Sequence, residues 1–340
     1  MRSGGRVGQV HTYDVVGIGN ALVDVIAHAD DAFLARESLA KGSMTLIETD
    51  RAVSLYRAMG SGIEMSGGSA ANTMTGISSF GGKAAYIGKV APDDLGEVFA
   101  HDMRAVGVAF VGPGPSAEIP TGRCMILVTP DAQRTMNTYL GVSSLLGPDD
   151  VDEDLVASGK VVFMEGYLFD RPPAKEGYRK AARVAHAHGG KVALTLSDSF
   201  CVDRHRDDFF ALVESQVDVL FANEDELKAL YQVDDFDDAV QAVRGHCEIA
   251  AITRGKAGSV VIAGPDLHVI DAHPVQQVLD TTGAGDLYAA GFLFGLTNGF
   301  SLADCGRFGS LAASEVISHV GARPLTPLRD LAGLDGAADR

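Results

Sequence analysis

No stretch of this 340-residue sequence approaches the ~18 to 20 consecutive apolar residues that cross a bilayer, so a membrane-spanning segment is not expected. The start, Met1 to His11, carries two Arg and three Gly but no apolar core of the kind a signal peptide needs. Cysteines number four, at 124, 201, 247 and 305, and none forms a C-x-x-C pair. They read as small buried hydrophobes rather than as disulfides or zinc ligands. Basic residues are also short: 28 Lys and Arg against 45 Asp and Glu give a formal charge of −17. That balance favours solubility and opposes adhesion to nucleic acid or anionic lipid. The expectation is a cytoplasmic protein that meets small molecules. Any polyanionic ligand would need a locally positive site.

What is present is a regular alternation. Hydrophobic residues make up 46% of the chain, enough for a sizeable core. Short apolar runs begin at Tyr13–Gly19 and recur at Ala84–Gly88, Val161–Met164, Val192–Leu196, Val217–Ala222 and Ile249–Thr253. Helical patterns such as Ala174–His188 and Glu224–Tyr231 lie between them. Near-continuous apolar strands alternating with helices predict a doubly wound α/β fold with a mostly parallel sheet, covered on both faces. Ligands then sit beyond the carboxyl ends of the strands. One stretch departs from this rhythm. Thr121–Val128 and Arg134–Leu140 flank the turn residues 129–133 and read as a hairpin. Joined by Asp24–His28 and Met44–Ile47, it would form a small β lid. The simplest organisation is one domain over 13–328, with lid segments near 22–50 and 118–141 and flexible tails at 1–12 and 329–340. No internal repeat or low-complexity linker interrupts it.

The strongest chemical signal is Asp280-Thr281-Thr282-Gly283-Ala284-Gly285-Asp286, followed by a run of small and apolar residues that reads as a helix. Successive N–H groups of Gly283, Ala284 and Gly285 at a helix start would make an anion hole, reinforced by the helix dipole. Asp286 falls in the first turn. A carboxylate beside an anion site suits one task, accepting a proton from an attacking hydroxyl; the bland alternative is a simple helix cap. A second signal is Gly67-Gly68-Ser69-Ala70-Ala71-Asn72, where paired glycines allow close approach to the backbone and Asn72 offers both a donor and an acceptor.

Together, some 210 residues apart, these two segments resemble the signatures of the ribokinase-like (PfkB) carbohydrate and nucleoside kinase family, over roughly Tyr13 to Pro327. Asn223-Glu224-Asp225-Glu226 is similar to the family's Asn-x-x-Glu motif. Thr253-Arg254-Gly255-Lys256-Ala257-Gly258 is similar to its ATP-binding Thr-x-Gly-x-x-Gly segment. The resemblance implies that Asp286 is the general base and Gly283, Ala284 and Gly285 the anion hole. It places ATP near Thr253, Gly255 and Gly258, with Mg²⁺ held mostly through water by Asn223 and Glu226. It also implies a monovalent cation, K⁺, near Asp280 and the Thr282 carbonyl, completed by the segment around Ser318 to Arg323. Arg134, in the hairpin, would reach the phosphates as the lid closes.

For the acceptor, Gly19-Asn20-Ala21-Leu22-Val23-Asp24 looks most like the adenosine kinases of the family, where an Asn and an Asp hold ribose hydroxyls. Gly67, Gly68 and Asn72 would complete that side, with Met44 and Leu46 against the base and Tyr167 stacking on it. Glu165 resembles a Glu found in the family's sugar kinases instead. The expectation is therefore phosphorylation of a primary hydroxyl, adenosine to AMP first. Ribose, fructose or another nucleoside is the alternative, and a non-catalytic sugar-binding protein a further one. The family's members are monomers or homodimers.

Two motif-based rivals fail on residue type. Gly17-Ile18-Gly19-Asn20-Ala21-Leu22 has Leu22 where a dinucleotide fingerprint needs Gly or Ala. Lys83 and Lys256 are each followed by Ala, not the Ser or Thr of a P-loop. His186 and His188, two apart on a helix, point to different faces and do not form a metal pair. His205 reads as part of a polar loop.

Overall fold

The computed structural model describes residues 11–110, 118–131 and 133–334. In chain order its strands are β1 (Tyr13–Ile18), β2 (Leu22–His28), β3 (Met44–Leu46), β4 (Ile63–Gly67), β5 (Ala84–Ile87), β6 (Ala109–Phe110), β7 (Gly122–Val128) and β8 (Arg134–Tyr139). They continue with β9 (Gly159–Glu165), β10 (Lys191–Thr195), β11 (Val219–Asn223), β12 (Ile249–Thr253), β13 (Ser259–Ala263) and β14 (Asp266–Ile270).

Nine strands form one sheet in the order β14-β13-β12-β11-β10-β9-β1-β5-β6. All six apolar runs noted above lie in it. Pairing is parallel from β12 through β6, and antiparallel only where β13 and β14 close one edge as a hairpin. Alternation along each strand explains why the runs look continuous. Val15, Phe163, Ala193, Phe221 and Ala251 belong to one buried cluster, shared with the helices Ser69–Ser79, Ala284–Thr297 and Leu302–Val316. Their neighbours Val16, Met164, Leu194, Leu220 and Ile252 belong to a second, shared with helices between Pro172 and Val243. The result is the expected α/β layering, with helices on both faces of a mostly parallel sheet.

Five strands form the second sheet, in the order β3-β8-β7-β2-β4. The hairpin, Asp24–His28 and Met44–Ile47 are all in it, and Thr129 N–H donates to the Gln133 carbonyl at 2.9 Å to close the turn; Ala132 lies outside the described residues. The strand Ile63–Gly67 was not legible beforehand. Its polar sequence carries little pattern, and pairing with β2 along Leu22–Ile26 makes it a strand. One face of this sheet packs Val23, Val25, Met125 and Leu127 against Phe33, Leu34 and Leu55. The other carries Cys124, Ile126 and Met136 into a cavity.

Several details differ from expectation. A tail from 329 begins too early: Leu328–Leu331 is a short helix with Leu328 buried, and Leu334 packs on the core. At the other end, Thr12 N–H donates to Ser158 O at 2.8 Å. Residues 1–10 and 335–340 of the expected tails lie outside the described residues. His205 is not in a loop; it sits at a kink inside the helix Ser199–Gln216, its Nε2 2.8 Å from an Asp170 carboxylate oxygen that fixes it there. His186 pairs with Asp218 at 2.8 Å, and no group of three or more His, Cys, Asp or Glu among the described residues could hold a metal. All four cysteines are free, and burial pushes their thiols up to about 12. No helix among the described residues is long and apolar enough to cross a membrane.

Candidate active site

Two helix starts meet at the carboxyl ends of the central strands. Gly68 opens the helix Ser69–Ser79 at φ 96°, where an added Cβ would lie 2.2 Å from the Asn20 carbonyl. Gly283 opens the helix Ala284–Thr297 at φ 78°. A left-handed backbone and the absence of a side chain are both needed at each. The second helix is apolar all round, buried from Leu287 to Gly295, as a helix inside a core must be. It packs so closely on the first that a Cβ on Gly76 would come within 2.6 Å of Ala290 Cβ. This contact sets the two N-termini side by side. Ser69 Oγ donates to Asp286 Oδ1 at 2.6 Å, and Asn72 Nδ2 donates to Oδ2 at 3.0 Å. Thr73 Oγ1 reaches the Asp286 carbonyl at 3.2 Å.

Asp286 thus faces a cavity of about 690 Å³ that runs between the two sheets. Burial raises its pKa, and the bonds from Ser69 and Asn72 and the charge of Arg323 act against that rise. Around it, the N–H groups of Gly283, Gly285 and Asp286 have no acceptor among the described residues. That of Ala284 donates to Thr281 O at 3.2 Å. Of the three N–H groups expected to bind an anion, those of Gly283 and Gly285 are free, joined by that of Asp286, while that of Ala284 is engaged.

Asp280 is spent within the chain. Its Oδ1 accepts from Thr282 N–H and its Oδ2 from Gly321 N–H, both at 3.0 Å. Arg134 of the lid lies 2.8 Å from the same Oδ2 and 3.4 Å from Thr282 Oγ1. A guanidinium already neutralises the carboxylate that was expected to hold a monovalent cation.

Four other carboxylates line the cavity, and their partners differ: Asp170 is paired with Arg204 and His205. Glu165 is 1% exposed. Its Oε1 accepts from Asn20 N–H at 2.7 Å and Asn20 Nδ2 at 2.8 Å, and its Oε2 from Ala70 N–H at 2.8 Å. Asn20 also accepts from Ser143 Oγ at 2.9 Å. Glu165 and Asn20, expected to touch substrate, both line the cavity, and these bonds tie its wall to the start of the helix at Ser69. Glu226 and Asn223 form a reciprocal capping box at the helix Glu224–Tyr231. Burial pushes both Glu165 and Glu226 up to about 7. With its oxygens engaged in the cap, Glu226 does not suit direct coordination, but the pair fits a Mg²⁺ that keeps its water shell.

Asp24 is the exception. No hydrogen bond reaches its carboxylate among the described residues, and it fits only because Gly67 has no Cβ, which would fall 2.4 Å from Asp24 Oδ2. Burial pushes it up to about 6, against the pull of Arg323 and Arg134. Beside it the lid contributes Met44, Leu46, Cys124, Ile126 and Met136 to the lining, and Tyr167 faces them from the large-sheet side. Tyr167 is held by its hydroxyl on the Ser197 carbonyl at 3.2 Å. Thr253 and Gly255 also line the cavity, but Gly258 does not. At φ 82° it turns the chain into β13, where a Cβ would strike the Ile270 carbonyl at 2.0 Å.

Sequence reasoning missed Ser69 as a partner of Asp286 and Arg323 as a half-buried cation acting on it. Arg323 Nε donates to Asn72 Oδ1 at 2.8 Å. Its only advance signal was arithmetic: in a chain this acidic, a cavity lined by five carboxylates needs cations from somewhere.

A model of the "pfkB family carbohydrate kinase" matches residues 44–329. The chain is similar to the solved structure of an adenosine kinase from Sinorhizobium meliloti, at 53% identity and TM-score 0.88, covering 95% of this chain and 99% of that one. It is also similar to a probable sugar kinase from Rhizobium etli, at 49% identity and TM-score 0.89, covering 96% and 99%. A curated 5-dehydro-2-deoxygluconokinase from Geobacillus thermodenitrificans is 28% identical over 276 residues, 78% of this chain and 82% of that protein. Kinases of this family phosphorylate hydroxyls of sugars or nucleosides, using ATP and typically Mg²⁺. With the match spanning most of its length, this chain belongs to the pfkB family of carbohydrate kinases.

Proposed function

We propose that the enzyme transfers the γ-phosphoryl group of ATP to the 5′-hydroxyl of adenosine, giving AMP and ADP. The observation that carries this reading is the pairing, in one cavity, of an unpartnered Asp24 carboxylate with an apolar lid wall. A carboxylate with both oxygens free accepts well from the paired 2′- and 3′-hydroxyls of a ribose. Met44, Leu46, Ile126, Met136 and the Tyr167 ring offer a flat, apolar seat for a base. A free sugar would use the first feature and leave the second empty. The 53% identity to a protein named as an adenosine kinase supports the same choice.

In this reading Asp286 is the general base. Ser69 and Asn72 hold its carboxylate toward the cavity, so it takes the proton of the 5′-hydroxyl as the oxygen attacks phosphorus. The free N–H groups of Gly283, Gly285 and Asp286, backed by the helix dipole, meet the negative charge on the transferred group. The phosphate chain of ATP lies toward Thr253 and Gly255. Asn223 and Glu226 would hold Mg²⁺ through water, where the ion would supply charge neutralisation to the phosphates. Arg134, now on Asp280, is within reach of the same loop and moves to the phosphates when the lid closes. Closure excludes water as a competing acceptor.

The test is ADP release, coupled to a reporter, with adenosine, 2′-deoxyadenosine, ribose and fructose offered in turn. Adenosine should give the highest kcat/KM and 2′-deoxyadenosine a lower one through lost contact with Asp24. Turnover of ribose or fructose with none of adenosine would overturn the substrate assignment.

A further inference from the structure

Arg323 is half-buried, with its guanidinium desolvated, and the mechanism above leaves it without work. Its surroundings are unusual for a structural arginine. No carboxylate among the described residues lies within ion-pair distance of it. Its direct acceptors are neutral: Asn72 Oδ1 for Nε, and Thr75 Oγ1 for Nη1, with Met103 Sδ 3.8 Å from Nη2. Burying a guanidinium without a contact counter-ion is costly, and neutral donors would satisfy those acceptors equally well. The charge itself therefore has a use. Burial draws its pKa down to about 10, so it remains protonated near neutrality; its compensation comes through space from the carboxylates of Asp24, Asp102 and Asp286.

The hydrogen-bond geometry says what that use is. The Asn72 side chain could turn either end toward Asp286, and its oxygen there would repel the carboxylate. A guanidinium can only donate. By taking Asn72 Oδ1, Arg323 commits Nδ2 to Asp286, where it donates at 3.0 Å. The second arm of the same planar fork binds Thr75, one turn along the same helix face. The ring of groups around Asp286 is otherwise neutral or acidic. Ser69, Asn72 and Thr73 come from its partner helix. Asp24, Glu165, Glu226 and Tyr167 come from β2, β9, the helix Glu224–Tyr231 and the turn after β9, and each is pushed up by burial first and to a smaller degree by the Asp286 charge. Arg323, from the segment before Leu328, is the cation acting on Asp286 in this ring.

We infer that Arg323 is a positioning residue for the phosphoryl-transfer step: by holding Asn72 Oδ1 it fixes which end of that amide meets Asp286, and so orients the carboxylate. This rests on Asp286 being the general base. The experiment compares Arg323→Gln and Arg323→Lys in the full chain with ATP, Mg²⁺ and adenosine, following kcat and both KM values from pH 5 to 9, with thermal melts alongside. Arg323→Gln should lower kcat by about 10- to 100-fold, the scale of a misplaced reacting group. It should also move the acid limb of kcat to higher pH, because Asp286 without the cation holds its proton longer. The KM for ATP should stay. Arg323→Lys keeps the charge and loses the fork, so its acid limb stays in place while kcat falls. A parental profile and kcat in Arg323→Gln overturns the role. If Arg323→Gln does not fold, Arg323→Lys decides: parental kcat overturns the role, and reduced kcat on an unmoved limb sustains it. Failure of both variants to fold assigns the residue to structure alone and also overturns it. Asp286→Asn, run beside them, separates this inference from the reading beneath it. Turnover retained in Asp286→Asn sinks both, whereas its loss, with a parental Arg323→Gln, sinks only the inference.

Discussion

The floor and the lid of the cavity are built on opposite plans. On the floor, polar groups are saturated by one another: Glu165 accepts three hydrogen bonds, Asp286 is gripped by two side chains, and Asn223 and Glu226 cap each other reciprocally. On the lid, Asp24 has no hydrogen bond among the described residues and its neighbours are apolar, with Met44 and Leu46 still 45% and 47% exposed. A saturated floor holds reacting groups still, which is what in-line transfer needs. An unsatisfied lid keeps its interactions for the substrate. In the proposed reading, chemistry and selectivity fall on opposite sides of the cavity.

The comparison breaks or sharpens under four substitutions. Asp286→Asn should have the largest effect, a loss of kcat of about 10²- to 10⁴-fold, while calorimetry shows ATP binding unchanged; a parallel loss of ATP affinity would make the residue a helix cap. Gly68→Ala attacks the floor's geometry. Its Cβ would meet the Asn20 carbonyl at a backbone angle that disfavours alanine, costing roughly 1–3 kcal/mol or more, seen as a lower melting temperature. Asp24→Asn should raise the KM for adenosine about tenfold, the weight of a hydrogen bond to a charged group, with a smaller change in kcat. In the parent that KM should climb as the pH falls below about 6, where Asp24 takes up a proton and loses acceptor capacity; in the variant this inflection disappears. The smallest effect belongs to Leu46→Ala. A half-exposed apolar side chain is worth about 1 kcal/mol, so the KM for adenosine should rise roughly fivefold while ATP kinetics stay constant.

Legibility in the sequence followed the same division. The large sheet could be read because burial on both faces leaves long apolar runs such as Val161–Met164, and the two helix starts because their glycines stand together with Asn72 and Asp286 in one pattern. The lid hairpin was visible through its turn residues. Ile63–Gly67 was not, because an edge strand that takes its order from β2 needs no pattern of its own. For the site, residue type identified Asp286, Asp24 and Glu226, but not what each was bonded to. Glu165 and Asp24 look equally available as letters; only coordinates show one consumed and the other free. Arg323 was beyond reach for a related reason. Its partners are some 250 positions upstream, at Asn72 and Thr75, and nothing near it in sequence announces them.

The contact of Gly76 with Ala290 and Leu287 has a consequence for how the enzyme could be altered. One methyl group added there would wedge apart two rods whose tips carry Ser69, Asn72 and Asp286. Turnover would then be adjustable from a point that touches neither nucleotide nor acceptor, by spacing alone.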